Sequence, residues 1–207
     1  MKKKILLISF FLAVIFLQGC YTPATFQSTK LLPPKALEIT PIYTVNKPYF
    51  PQYPNFGFIV NYGLNAKKNL LFRYEKIGGT HLHYLAIGGK KSLIKDKLAY
   101  SDFWGIYIGT FSLEKLSICM FEYSPSLNYT FFSNKYLETS LSVNFPIDIF
   151  VHNDISGLWI GDIYLNFCPA FSTDFAKYSI RPLFGMTTSI LLRGVWFFGG
   201  LGISYNF

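Results

Sequence analysis

Histidine and aspartate residues in two segments have the side chains needed for acid–base chemistry. His81 and His83 lie close together, and His152 precedes Asp154 by two residues within the segment 146–159. A histidine held by a carboxylate can take a proton from a serine or a water, which is the chemistry of a hydrolase. The two-residue spacing gives no particular geometry, however, and the sequence has no G-x-S-x-G motif, phosphate-binding loop or metal-ligand cluster. We therefore assign no catalytic residue, metal site or cofactor, and we keep a hydrolase as an alternative function.

Cys20 is a second candidate for chemistry because of the segment that precedes it. Three lysines are followed by an apolar run over residues 5–17, which ends shortly before Gly19 and Cys20. This run is too short for a transmembrane helix and is typical of a cleaved secretory signal. The tetrapeptide LQGC at its end resembles the lipobox of bacterial lipoproteins. The resemblance implies that lipoprotein-processing enzymes cut before Cys20 and attach lipid to its sulfur; a plain signal peptide with a chance cysteine is the alternative.

Charged residues also recur in one phase of an alternating pattern. After residue 36, apolar and aromatic residues alternate with small or polar ones, most clearly over residues 121–131. A period of two is that of a β-strand with two different faces. Charges enclosed on the polar face need partners, so we expect Arg73 and Arg181 to bond to some of the glutamates. The charged residues that would form this polar network are Glu38, Arg73, Glu75, Glu122, Glu138 and Arg181.

The elements that would position this network are about ten strands joined by turns. Loops over residues 45–55 and 146–159 are longer than the linkers at the opposite ends of the strands. Asp102 falls in the apolar phase, which indicates either a bulge or a position close to lipid headgroups. Pro125 lacks a backbone donor, so we expect a bulge or an end of pairing there. The predicted strands are residues 37–43, 56–64, 70–76, 83–93, 98–109, 121–131, 137–145, 163–171, 178–186 and 197–207.

The last predicted strand carries an apolar face that ends on an aromatic residue. Ile203, Tyr205 and Phe207 share this face, and glycine, serine and asparagine occupy the other. The pattern resembles the terminal assembly signal of Gram-negative outer-membrane β-barrels. The resemblance implies recognition of this strand by the barrel-assembly machinery and an outer-membrane location. The short linkers and the lipidated amino terminus predict that both chain termini are periplasmic.

Composition and pattern together predict an all-β fold. Of the 207 residues, 51% are hydrophobic and 19% aromatic, yet no stretch after residue 20 is long enough for a membrane helix. We expect a closed antiparallel up-and-down transmembrane β-barrel of about ten strands, within a range of about eight to twelve. The expected domains are a signal peptide over residues 1–19, a lipidated tether over residues 20–35 and the barrel over residues 36–207. A lipid-tethered, soluble lipocalin-like carrier is the structural alternative, with its apolar face inward.

The function expected from this sequence is that of a lipid-anchored outer-membrane barrel with a structural or surface-binding role. Barrels of this size have little interior space, so the polar network favours a largely plugged lumen over a narrow pore, which remains an alternative. The expected partners are outer-membrane lipids, and the sequence identifies no ligand. The net charge of +8 includes three signal lysines, and we expect no nucleic-acid partner. Cys119 and Cys168 fall in opposite phases, which argues against a disulfide between them.

Overall fold

The computed structural model describes residues 28–46, 54–78, 81–111, 116–152, 155–160, 162–189 and 194–207. These residues form twelve β-strands and their connections, and they contain no helix long and apolar enough to cross a membrane. The strands are β1 (Leu37–Asn46), β2 (Asn55–Asn65), β3 (Lys68–Lys76), β4 (His83–Ile94), β5 (Leu98–Phe111), β6 (Leu116–Ser133), β7 (Leu137–Asn144), β8 (Ile147–His152), β9 (Ile155–Ile160), β10 (Asp162–Phe171), β11 (Tyr178–Ser189) and β12 (Gly194–Asn206).

Ten of these strands close into a ring. Strands β1 to β7 pair with their neighbours in chain order, β7 pairs with β10, and β10 to β12 continue the order until β12 pairs with β1. Every pairing is antiparallel. The predicted all-β, closed antiparallel barrel of about ten strands is therefore confirmed.

The segment 146–159 was expected to be a loop, and that expectation is wrong. Strands β8 and β9 occupy most of it and form a hairpin on the far half of β6. The residues Ile147, Ile149 and Val151 continue the alternation of β7 beyond Pro146, so the sequence supports a strand there. The hairpin lengthens the barrel wall at the end opposite the chain termini.

Pro125 lies where β6 changes partner. Ser126 pairs with Asn144 of β7, and Tyr123 pairs with Ile147 of β8, so the register is the same on both sides. The Phe145 amide donates to the Pro125 carbonyl at 3.0 Å. Because proline has no amide hydrogen to donate, β6 exchanges β7 for β8 here, but Pro125 stays paired with Asp102 of β5, so neither a bulge nor a complete end of pairing occurs.

The two faces of the strands differ sharply in exposure. In β6, outward residues such as Phe121 and Phe131 are 48% and 54% exposed, whereas the inward residues Glu122 and Asn128 are 3% and 0% exposed. The same alternation holds in β1, β2 and β3, where aromatic side chains face out and charged or polar ones face in. A soluble carrier would need the reverse arrangement, so the lipocalin-like alternative does not fit this structure.

The barrel interior also contains two apolar clusters that the sequence pattern did not predict. Both contain aromatic rings, and glycines on neighbouring strands make room for two of them: a Cβ at Gly105 would overlap the Tyr84 ring, and one at Gly185 would overlap the Phe198 ring. One cluster contains Ile42, Ile59, Tyr164, Cys168, Leu183 and Phe198; the other contains Leu71, Ile77, Leu82, Tyr84, Ala86, Phe103 and Tyr107.

Candidate functional site: the filled interior and its closed end

The six charged residues of the expected polar network all lie in the barrel interior. None is more than 6% exposed. They separate into two groups: Arg73 with Glu75 and Glu122, and Arg181 with Glu38 and Glu138, which lie around Lys90 near the end where the chain termini lie. The strands place them there because each occupies the inward phase, as the alternation indicates.

The first group combines an ion pair with aromatic rings. Arg73 pairs with Glu75, two residues further along the same face of β3. The Arg73 guanidinium also lies 5.7 Å from the Tyr84 ring centroid and 5.9 Å from that of Phe103. At these distances the rings add cation–π stabilisation to a charge that is only 1% exposed.

Glu122 is held by two tyrosines rather than by an arginine. The Tyr84 hydroxyl donates to Glu122 Oε1 at 2.8 Å, and the Tyr107 hydroxyl donates to Oε2 at 2.7 Å. Each carboxylate oxygen therefore has a hydroxyl donor in a site that water does not reach. The sequence reasoning missed both tyrosines, although their position in the inward phase of β4 and β5 was the available signal.

The second group links the first strand to the second and to β11. Arg181 Nη2 lies 3.0 Å from Glu38 Oε2, and Arg181 Nε donates to Ser179 Oγ at 2.9 Å. Asn61 donates to the other Glu38 oxygen at 3.3 Å. These contacts join β1, β2 and β11, so the pair braces the wall where the ring closes.

The chain segment 28–36, here called the N-terminal strap, crosses the barrel end that holds the short turns. Thr29 is fully buried, and its hydroxyl donates to the Asp96 carbonyl at 3.0 Å and bonds to the Thr130 hydroxyl at 2.7 Å. Further along, the Lys35 amide donates to the Gly63 carbonyl at 2.7 Å. The strap therefore contacts β2, the β4–β5 turn and β6, and it covers this mouth of the barrel.

Two lysines hold the strap by charge. Lys90 is 2% exposed, and its Nζ donates to the carbonyls of Ser28 and Lys30 at 3.1 and 2.8 Å. Lys30 Nζ lies 2.9 Å from Glu138 Oε2 and donates to Ser133 Oγ at 3.0 Å. Glu138 thus has a lysine of the strap as its partner. The sequence reasoning treated Lys90 as an interruption of β4, and its inward phase was the missed signal.

The three residues of the expected assembly signal lie on the outer face of β12. Tyr205 and Phe207 are 50% and 75% exposed, and Tyr205 pairs with Ile39 of β1. The amides of Phe207 and Leu37 each donate to the other's carbonyl, at 2.7 and 3.1 Å. Ile203 is partly exposed on the same face. The last strand therefore completes the ring by pairing with the first.

The residues considered for hydrolysis and lipidation are only partly described. His83 Nδ1 bonds to the Tyr74 hydroxyl at 2.9 Å, and His81 is exposed. The His152 side chain, Asp154 and Cys20 lie outside the described part of the chain, as does the Cys119 side chain. Cys168 is buried and not in a disulfide. Within the described ranges, no three His, Cys, Asp or Glu side chains could share a metal ion.

The interior side chains leave little room for water along the barrel. Glu75, Asn128, Asn144 and Asn166 are each 0% exposed although they face the lumen. A water-filled passage would leave accessible surface on the groups that line it. At the level of these residues the interior therefore leaves no surface to water, although neither side-chain amide atom of Asn166 has a hydrogen-bond partner among the described residues.

Comparison with known proteins assigns the chain to no family. No family model matches the sequence, and no curated protein matches it. Among solved structures, the N-terminal β-barrel domain of Pseudomonas aeruginosa OprF is similar to this chain, with 11% sequence identity and a TM-score of 0.41. The alignment covers 85% of this chain and 100% of that one.

Proposed function

We propose that this chain is a lipid-anchored outer-membrane β-barrel with a filled interior, which serves a structural or surface-binding role and does not conduct solutes. One observation carries the proposal: large apolar side chains cover the outer wall while charged side chains are buried inside. Only a hydrocarbon surrounding makes that arrangement favourable for a closed barrel.

The outer wall is too apolar to face water. Phe56, Trp104, Phe184 and Phe197 are between 55% and 67% exposed and lie on different parts of the ring. Soluble monomers rarely expose a continuous apolar patch of more than a few hundred Å², because each Å² in water costs about 25 cal/mol. A bilayer removes this cost along the whole wall.

The filled interior supports a structural role over a pore. Conduction needs a continuous path of water or of exposed polar groups. Here the Arg73 and Arg181 pairs and the two apolar clusters occupy the lumen, and the strap covers one mouth. Any surface binding would then use the opposite end, where β8 and β9 extend the wall.

Lipidation at Cys20 fits the position of the strap. Seven residues separate Cys20 from Ser28, a reach of about 25 Å when extended. The strap lies beside the short turns, which outer-membrane barrels keep on the periplasmic side. We accordingly propose that both termini are periplasmic, that lipoprotein-processing enzymes modify Cys20, and that the barrel-assembly machinery recognises the strand carrying Ile203, Tyr205 and Phe207.

Alkaline extraction of membranes tests whether the chain is integral. The full-length protein and a Cys20→Ala variant with an ordinary signal peptide are expressed, and membranes are washed at high pH. We expect both to stay in the pellet and to migrate faster in detergent gels before heating than after. Release of Cys20→Ala while the lipidated protein stays bound would mean that the lipid alone holds the protein, and the proposal would fail.

A further inference from the structure

Asp102 stands out because it lies on the outer wall, in the phase otherwise occupied by apolar side chains. It is partly exposed and pairs with Gly89 of β4 and Pro125 of β6. The Gly89 amide donates to Asp102 Oδ1 at 3.1 Å, and the Tyr100 hydroxyl lies 3.5 Å from Oδ2. A carboxylate can accept about four hydrogen bonds, so this one keeps capacity for a donor from outside the protein.

An apolar groove lies further along the outer wall, and Trp104, the next outward residue of β5 after Asp102, is part of its lining. It measures about 450 Å³ and runs along the outer wall of β3 to β6 and β8. One row of cross-strand neighbours, Phe72, Ile87, Trp104, Tyr123 and Ile147, forms part of its lining. Trp104 follows Asp102 by two residues on the same face of β5, a distance of about 7 Å along the strand.

Tyrosine hydroxyls connect the groove to the carboxylate. The hydroxyl of Tyr123, a lining residue, lies 2.7 Å from the Tyr100 hydroxyl, which in turn approaches Asp102. Lys91 pairs with Tyr100 and is exposed on the same outer face. The groove therefore has an apolar lining, and next to its Trp104 and Tyr123 the outer wall carries a carboxylate, two hydroxyls and an ammonium group, here called its polar end.

The polar end points toward the barrel end that carries the strap. Tyr100 and Lys91 lie close to the β4–β5 turn, whereas Trp104 and Ile106 lie further along the wall. A lipid of the leaflet on this side would thus place its headgroup beside Asp102 and its hydrocarbon chain along the groove. A buried or half-buried carboxylate favours a partner that is positively charged and donates a hydrogen bond.

We propose that this groove binds one membrane phospholipid whose headgroup carries a primary ammonium, with a fatty-acyl chain in the groove, the ammonium on Asp102 and the phosphate near Lys91. The inference rests on the proposed function, since the outer wall must face lipid. The proposed lipid explains why Asp102 lies in the outward phase of β5, because the lipid headgroup supplies the positively charged partner of the carboxylate.

Quenching of Trp104 fluorescence tests the proposal in reconstituted vesicles. Trp159 and Trp196 are replaced by Phe so that Trp104 is the one tryptophan left. Phosphatidylethanolamine and phosphatidylcholine with the same brominated chains are titrated separately into vesicles of unbrominated phosphatidylcholine. The two lipids differ in whether the headgroup nitrogen has N–H donors. We expect phosphatidylethanolamine to reach half-maximal quenching at a mole fraction about threefold lower than phosphatidylcholine does. A factor of this size is what a partly exposed ion pair with Asp102 would contribute to binding.

Two further measurements assign the preference to Asp102. Asp102→Asn is expected to equalise the two lipids, whereas Asp96→Asn, the same change in the exposed β4–β5 turn, is expected to preserve the preference. In the protein that keeps Asp102, mono- and dimethylated headgroups are expected to reduce the preference stepwise as N–H donors are lost. This series does not depend on whether an Asp102 variant folds.

The outcomes separate the two levels of the proposal. Equal quenching by both lipids, a preference that survives Asp102→Asn, or a preference that the dimethylated headgroup keeps undiminished, would overturn the lipid site while leaving the membrane barrel intact. Absence of quenching by either lipid in vesicles that contain the protein would instead show that Trp104 does not face hydrocarbon, and the proposed function would then fail as well.

Discussion

Arg73 and Glu75 show how much of the interior can be derived from single residues. The period of two placed both in the inward phase, and the structure shows them buried and paired on the same strand. Their further partners could not be derived, because Tyr84 and Glu122 reach them only through the pairing of β3, β4, β5 and β6. Lys90 was missed for a local reason: the run Gly88 to Lys91 weakens the alternation around it.

Removing the Arg73 charge should destabilise the barrel strongly. In Arg73→Met, Glu75 keeps a carboxylate at 0% exposure without its cation, a loss of about 3–5 kcal/mol. The measurement is the urea midpoint of the change in gel mobility in detergent. The double variant Arg73→Met with Glu75→Gln should recover much of the loss, since residue 75 then carries no charge and Glu122 keeps its two tyrosine donors. A single variant as stable as the native protein would contradict the ion-pair assignment.

Gly185 should not tolerate a methyl group. In Gly185→Ala the new Cβ would overlap the Phe198 ring, and overpacking of this kind costs about 1–3 kcal/mol. Gly199→Ala is the matched control, because the nearest atom to its Cβ, the Leu183 carbonyl oxygen, is 3.6 Å away. Thermal midpoints in detergent compare the two, and equal midpoints would count against the packed interior at Phe198.

The N-terminal strap is the element whose role was least visible in the sequence. Residues 20–35 were expected to be a tether, since they are rich in proline and threonine and have no period. The structure docks residues 28–36 on the barrel through Thr29, Lys30 and Lys90. A docked segment without regular structure has no periodicity to detect, because its contacts are set by the surface that receives it.

Lys90→Met should release the strap, because the Ser28 and Lys30 carbonyls lose a charged donor. Each such bond contributes about 1.5–3 kcal/mol, so trypsin should cut after Lys30 at least about tenfold faster. Lys91→Met, the same change at the exposed neighbour, should leave the rate unaltered. Mass spectrometry of the shortened chain follows the cut, and equal rates in both variants would show that Lys90 does not hold the strap.

At the scale of the whole molecule, the barrel was predictable because its two faces differ so much in polarity. Apolar residues on the outer wall alternate with small or polar ones in the crowded interior, and this period of two is visible in the sequence, as in β6. The β8–β9 hairpin was not predicted because Pro146 divides the alternation into pieces too short to recognise as strands. The two apolar clusters of the interior were not predicted because Tyr and Phe occur on both faces of the strands.

The filled interior predicts that the protein does not conduct ions. In planar bilayers the native barrel should give no steady conductance, because Arg73, Glu122 and the two apolar clusters obstruct the lumen. Glu122→Ala removes a carboxylate but leaves the tyrosines and the strap, so we expect it to stay silent too. Reproducible channels in the native protein, with altered ion selectivity in Glu122→Ala, would favour the narrow pore instead.

The mutual amide bonds of Leu37 and Phe207 have a consequence for biogenesis. Until β12 pairs with β1, the sheet presents two unpaired backbone edges, one on each of these strands. Such an open sheet is prone to associate with other copies of itself. A chaperone that shields both edges is therefore needed until the ring closes.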